Sequence, residues 1–264
     1  MIRHFLLSFL FFQSLWSGPR VVFLGASITY GAVRDGKTLQ TLVNERLGAT
    51  VDIKSEAVSG WSSTRLAANI QSFVNRYPIG TYFVIHIGGN DVSSRRPYPG
   101  GAQKLETNLR KILRVIEQRG SHPILMRLSY RAYPNSMEAQ GSLPYDENIY
   151  DPLCKEFSPE WFDSARKRCK LDFYQWSRVH KGYLARDGIH FTSKGYQAIR
   201  EDFLVPELFY VLLKKLSQPA SNQENQAMES PGFDGVETIQ GSENPAPKDT
   251  TKKNYFEKYF KEFQ

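Results

Sequence analysis

Cysteine is scarce: Cys154 and Cys169 are the only two in 264 residues. Two cysteines without clustered histidines make no zinc motif. They also fall short of the dense disulfide frameworks of small secreted domains. The pair is open to bridging in an oxidising compartment or to remaining as two thiols. Long apolar runs are missing too, with one exception. Residues 5–16 are apolar apart from Ser8, Gln13 and Ser14. That stretch is too short to span a bilayer comfortably. It follows the basic start Met1-Ile2-Arg3-His4 and precedes the small residues Ser17-Gly18. Residues 1–18 therefore read as a secretory signal, although Leu15 and Trp16 crowd the cleavage site. The competing reading is a buried N-terminal helix or strand. With the signal, the expected location is secreted or periplasmic. No internal repeat and no nucleic-acid-binding motif is present. The net charge of +7 is not gathered in one basic run. From Ser217 onward there are eight acidic residues and five lysines, so residues 1–216 carry +10. Charge scattered in this way describes a solvated surface, with a mild bias toward acidic polymers or anionic membranes.

What is present is an alternation of short apolar runs and amphipathic stretches. Strands are expected at 20–24, 50–54, 82–87 and 123–127, with a weak one at 171–174. Helices are expected at 38–47, 63–76, 101–119, 159–168 and 193–216. Leu105, Leu109, Ile112, Leu113 and Ile116 fall at helical spacing with charges between them. Strand-helix alternation implies an α/β fold, a parallel sheet covered on both faces. Residues 128–158 break the rhythm and are rich in Tyr, Pro, Asn and Ser. So long an irregular segment is usually functional or mobile, and it should overhang the edge that carries the site. Residues 217–253 hold few large apolar residues and read as a disordered linker. In 254–264 the aromatics Tyr255, Phe256, Tyr259, Phe260 and Phe263 share one helical face. Such a helix either docks on a partner or membrane surface or packs back on its own domain. The domain that carries the chemistry is thus expected at 19–216.

Ser27 follows the apolar run Val21-Val22-Phe23-Leu24 and the turn Gly25-Ala26. In open α/β sheets the C-terminal edge of the strands binds ligands. A serine hydroxyl there is a weak nucleophile and needs a base. His190, in a loop just before a helix, is the candidate. Asp187, three residues earlier, can turn back and hold the imidazole in the useful tautomer. An attacked carbonyl becomes an oxyanion and needs fixed donors. Asn90, in Gly88-Gly89-Asn90-Asp91, offers a side-chain amide. Gly60, in Val58-Ser59-Gly60-Trp61, offers an unobstructed N–H, and the Ser27 N–H is a third. Each piece alone is common; together, each after its own strand, they are specific.

In these blocks the chain resembles an SGNH hydrolase, also called the GDSL-type esterase/lipase family. Gly25-Ala26-Ser27-Ile28-Thr29-Tyr30-Gly31 resembles the first block, and Ser55 to Ser63 the second. Gly88-Gly89-Asn90-Asp91 resembles the third, and Asp187-Gly188-Ile189-His190 the fifth. The match runs from about Arg20 to Leu216. The resemblance implies a flavodoxin-like three-layer α/β/α sandwich, with Ser27 as nucleophile and Gly60 and Asn90 completing the oxyanion hole. His190 is then the base and Asp187 its orienter. No cofactor and no metal is implied. Two positions depart from the family: Ala26 stands where Asp is usual, and Ser55 where Asn is usual. Both are expected to support loops rather than do chemistry.

A competing motif lies next door. Gly31-Ala32-Val33-Arg34-Asp35-Gly36-Lys37-Thr38 fits the phosphate-loop pattern G-x-x-x-x-G-K-S/T. Its context is wrong, because Leu24 ends the strand several residues before Gly31. No apolar strand ends directly in a magnesium-binding Asp either. A polar turn capping the following helix is the expected structure. Among the other histidines, His86 inside a strand reads as a satisfied core residue, His122 opens a strand, His180 sits in a polar loop and His4 leaves with the signal. Trp61 and the tyrosines at 130, 133, 145 and 150 suit either a sugar-stacking or acyl-binding wall or plain packing.

The sequence thus points to an exported serine hydrolase of carboxylic esters, either short acyl esters on carbohydrate or lipid esters. An O-acyltransferase acting on a cell-surface glycan would use the same site. A binding module that keeps the fold without turnover is the reading from a different class. The expected partner is an ester substrate, with a membrane or protein surface for the terminal helix and no nucleic acid.

Overall fold

The computed structural model describes residues 18–34, 36–92, 101–131, 149–157 and 171–216. The chain divides into two compact units, Met1–Leu213 and Lys214–Gln264, and the sheet lies in the first. The expected signal, the linker, the aromatic terminal helix and the 159–168 helix all fall outside the described residues.

Strand β1 (Arg20–Gly25) opens the sheet and is buried from Val21 onward. Helix α1 (Ser27–Val33) follows at once, then α2 (Lys37–Leu47) and β2 (Asp52–Ser55). Helix α3 (Ser63–Asn75) leads to β3 (Tyr82–His86), and α4 (Gly101–Gln118) to β4 (His122–Leu125). The remainder is helical: α5 (Asp151–Phe157), α6 (Phe173–Val179), α7 (Ser193–Ala198) and α8 (Val205–Leu216). The order in the sheet is β2-β1-β3-β4, and every pairing is parallel. That is the flavodoxin-like order, whose direction of winding reverses between β1 and β3.

Side chains alternate across the sheet, which divides the core in two. Val21, Phe23, Ile53, Tyr82, Val84 and Ile124 pack on one face with residues of α1, α2, α6 and α8. Val22, Leu24, Phe83, Ile85 and Leu125 pack on the other with α3, α4 and α5. The apolar stripe of α4 (Leu105, Leu109, Ile112, Leu113, Ile116) is wholly buried there. The result is a three-layer α/β/α fold with the sheet at its centre.

Two expectations need correcting, and two others can be made more specific. The fifth strand is reduced to a single bridge between Met126 and Leu171, and Phe173 onward is helix. Asp172 caps that helix by accepting the Gln175 N–H. The long final helix is continuous over 193–216, as expected, and carries a π-helical stretch, Ile199–Leu204, between α7 and α8. Part of the segment expected to be irregular, 149–157, is helical. Gly31, which would open the phosphate loop that the sequence context argues against, lies inside α1. The chain after β1 is already coiled into helix and has no loop there to wrap a phosphate.

Candidate active site

Three loops leave the C-terminal ends of β1, β2 and β3, around the point where the winding reverses. The first carries Ser27, the opening residue of α1. Its N–H belongs to the first turn and has no intrahelical acceptor. Ala26, at the N-cap, supplies no side-chain bond to that turn. This is the structural result of the departure from Asp. The second loop continues alongside β1: the Glu56 N–H donates to the Phe23 carbonyl and the Val58 N–H to that of Gly25. It then turns, the Trp61 N–H donating to the Val58 carbonyl, with Gly60 at φ +78°. A positive φ at the third position of such a turn is what selects glycine. Space does not, since a Cβ there would meet nothing within 4 Å. Ser55, the other departure, buries its hydroxyl with no partner among the described residues.

The third loop is Gly88-Gly89-Asn90-Asp91. The Asn90 amide donates to the Trp61 carbonyl at 2.8 Å, which orients it and leaves a second N–H for a ligand. Asp91 and Gly88 brace the loop. The Asp91 carboxylate, 4% exposed, accepts from Ser63 at the start of α3. Burial pushes its carboxyl up, and the Ser63 hydroxyl and N–H offset this only in part. Gly88, at φ +122°, has no room for a side chain, because a Cβ would lie 2.8 Å from Leu105. Tyr150 is fully buried and donates to the Ile87 carbonyl at 2.6 Å. It is therefore a buttress of this loop and not part of a binding wall. Trp61 is half-buried against Phe73, and Tyr130 packs edge-on to Tyr174. Residues 133 and 145 lie outside the described residues.

A fourth loop, between α6 and α7, brings the remaining groups. The His190 Nε2 is 2.9 Å from the Ser27 hydroxyl oxygen, across 163 positions of chain. The His190 Nδ1 is 2.5 Å from Asp187 Oδ2. A carboxylate at Nδ1 assigns the proton to that nitrogen and leaves Nε2 as an acceptor. Asp187 Oδ1 accepts the backbone N–H groups of Ile189 and His190, each at 2.9 Å. Burial alone would raise the Asp187 carboxyl. The His190 hydrogen bond and the two N–H groups outweigh it and hold the group well below the usual carboxylate range. Both side chains are about one-third exposed, so the site opens to solvent.

The five residues singled out from the sequence thus gather at one sheet edge, Ser27 at the start of α1 and the other four on loops. Ser27, His190 and Asp187 form a continuous hydrogen-bonded chain. His86 is the one histidine whose expectation fails in part. Its Nδ1 pairs with Thr29 Oγ1 at 2.9 Å, but its buried Nε2 has no hydrogen-bond partner among the described residues. Burial first, and then the Arg131 charge, push it down to about 3, so it stays neutral. Asp91, Ser63, Tyr150 and Arg131 were not singled out as site residues. Of these, Asp91 and Ser63 stood inside recognised blocks. Among the described residues no three His, Cys, Asp or Glu side chains cluster as a metal site.

A parallel three-layer sheet that gathers a serine, a histidine and an acid at its C-terminal edge has the layout of a serine hydrolase. The chain belongs to the GDSL-like lipase/acylhydrolase family, whose model matches residues 23–198. It is by that membership an enzyme of the class that hydrolyses ester bonds. Comparison with curated proteins finds no match. Among solved structures, an acetyl xylan esterase is similar with a TM-score of 0.54 at 19% identity, over 69% of this chain and 96% of that one. A lipase/acylhydrolase from Enterococcus faecalis gives 0.53 at 18%, over 73% and 96%. The psychrotrophic esterase EstA from Pseudoalteromonas sp. gives 0.53 at 14%, over 75% and 98%. At these identities the likeness is one of fold.

Proposed function

We propose that the chain is an exported serine esterase that cleaves carboxylic esters, short acyl esters on carbohydrate or lipid esters, through an acyl-enzyme. The observation that carries this reading is the run of contacts from Asp187 through His190 to the Ser27 hydroxyl. His190 Nε2 takes the hydroxyl proton as Ser27 Oγ attacks the ester carbonyl carbon. The carbonyl oxygen, now negative, is met by the Ser27 and Gly60 N–H groups and the second N–H of Asn90. The intermediate collapses, the alcohol leaves with the proton from His190, and the acyl group stays on Ser27. Water then gives its proton to His190 and attacks the same carbon, and the acid departs as Ser27 regains its hydrogen. Asp187 keeps Nδ1 protonated throughout and stabilises the imidazolium that forms twice per cycle. No step calls for a cofactor.

Export rests on the basic-then-apolar start of the chain and on Cys154. That residue is fully buried, and a bridge to Cys169 would suit an oxidising compartment. The other cysteine, Cys169, lies outside the described residues. The aromatic face at 254–264 is proposed to dock on an envelope or protein surface.

The test is a panel of esters of graded acyl length, run with and without a sugar acceptor, on the parent and Ser27→Ala. Hydrolysis that disappears in Ser27→Ala, together with fluorophosphonate labelling, is the expected result. Turnover that accelerates with acceptor would move the reading to acyl transfer. An alanine variant working at the parent rate would overturn the role of Ser27.

A further inference from the structure

Arg131 is 8% exposed, a rare degree of burial for a guanidinium. It follows β4 and reaches the Gly88–Asp91 loop, where it presses on Gly89. A Cβ built on Gly89 would lie 2.2 Å from an Arg131 terminal nitrogen and 3.4 Å from its Cζ. Gly89 is not among the positive-φ glycines, so its backbone would suit any residue. Among the described residues, the demand for glycine at 89 comes from the room that Arg131 takes. Gly88 is held by its own φ and by Leu105, and thus the two adjacent glycines answer to different causes. Arg131 is also close enough to bear on His86, which pairs with Thr29 two residues beyond the nucleophile. The guanidinium therefore lies against the loop that carries Asn90. The neighbouring imidazole stays neutral and adds no second charge.

We propose that Arg131 is an electrostatic positioning residue of the oxyanion hole. Seated against Gly89, it fixes the loop that presents the Asn90 amide and supplies a standing positive charge beside the carbonyl oxygen as that oxygen turns negative. A charge of this kind acts on the transition state more than on the neutral bound ester. The inference rests on the esterase reading above. It predicts that Arg131→Gln lowers kcat on the order of 10–100-fold with KM little changed. Arg131→Lys, which keeps the charge, recovers most of the loss. Gly89→Ala in the parent lowers kcat similarly, because its methyl group displaces the guanidinium. In the Arg131→Gln background, where that space is free, the same methyl adds little, so the two changes are strongly coupled.

The experiment is the full-length protein and these variants, each melted in parallel, on a soluble ester. A parent without Ser27-dependent turnover would overturn the esterase reading and this inference with it. A parent with such turnover and an Arg131→Gln variant at the parent kcat would overturn the inference alone. So would a pure KM effect, or losses from Gly89→Ala and Arg131→Gln that simply multiply. Loss of both kcat and melting temperature in Arg131→Gln, unrelieved by Lys, would reduce Arg131 to a structural part. If Arg131→Gln fails to fold, Gly89→Ala still decides: a kcat loss at unchanged melting temperature and KM supports the proposal, and parent kinetics overturn it.

Discussion

Asp91 closes the N-terminus of α3, accepting the Ser63 N–H at 2.9 Å and the Ser63 hydroxyl at 2.7 Å. The contact joins the loop of Asn90 to the loop of Gly60, so two of the proposed oxyanion donors share one brace. Asn108 extends it by donating to the Ser63 hydroxyl at 2.9 Å. Asp91→Ala would leave buried donors on Ser63 unpaired, at about 1–3 kcal/mol. Calorimetric or denaturant unfolding should show that loss, and kcat should fall with it because Asn90 loses its support. A variant with parent stability and parent kcat would mean that the brace is ornamental.

The donors themselves can be told apart. Asn90→Ala should lower kcat on the order of 10²–10³ while KM moves little, since the amide serves the oxyanion more than the bound ester. Gly60→Ala meets no neighbour but must hold an L-residue at φ +78°. Backbone relief there, of about 1–3 kcal/mol, would turn the N–H away. Steady-state kinetics with melting curves separate the two: Asn90→Ala keeps its stability and Gly60→Ala does not.

The Asp187 and Asp91 carboxylates should respond to acid in opposite directions. Asp187 is held below its unfolded value, so its contribution is complete above the usual carboxylate value and is lost as pH falls through its lower folded value. Asp91 is raised by burial, so the folded state binds its proton first and gains on acidification toward the usual value. Relative to Asp187→Asn, the parent's advantage in melting temperature should shrink in strong acid. Relative to Asp91→Asn, the parent should improve as pH falls in the range above the usual carboxylate value. Parallel trends in the two comparisons would contradict these environments.

A chain ending at Leu216 should keep the small-ester activity, because Ser27, Gly60, Asn90, Asp187 and His190 all lie upstream. Assays on a soluble ester and on lipid vesicles would separate catalysis from docking. Collapse of the soluble activity would place residues 217–264 within the catalytic fold.

The first four strands and the helices at 38–47, 63–76 and 101–119 were legible because their apolar periods are long or unmixed. Leu171 to Tyr174 misled because a short buried apolar run reads alike as strand or helix. The capping pair Asp172 and Gln175 was the available signal for helix. The π-helical stretch Ile199–Leu204 has no mark in its residue types; it is a slip of the hydrogen-bond ladder. Five site residues were legible because each is a distinctive type in a short block. Their supports were not: Ser63 and Asp91 are 28 positions apart, Tyr150 and Ile87 63. Such pairings are set by tertiary packing, and nothing local announces them.

Asp187 and His190 stand three residues apart, whereas Ser27, the proposed nucleophile, is 163 positions from His190. Closing so short a loop costs little chain entropy, while recruiting Ser27 requires the sheet to be assembled. A partly folded chain would hold a paired imidazole with nothing to activate. Such a chain would be chemically inert. Nucleophilic power would arrive only with the completed fold.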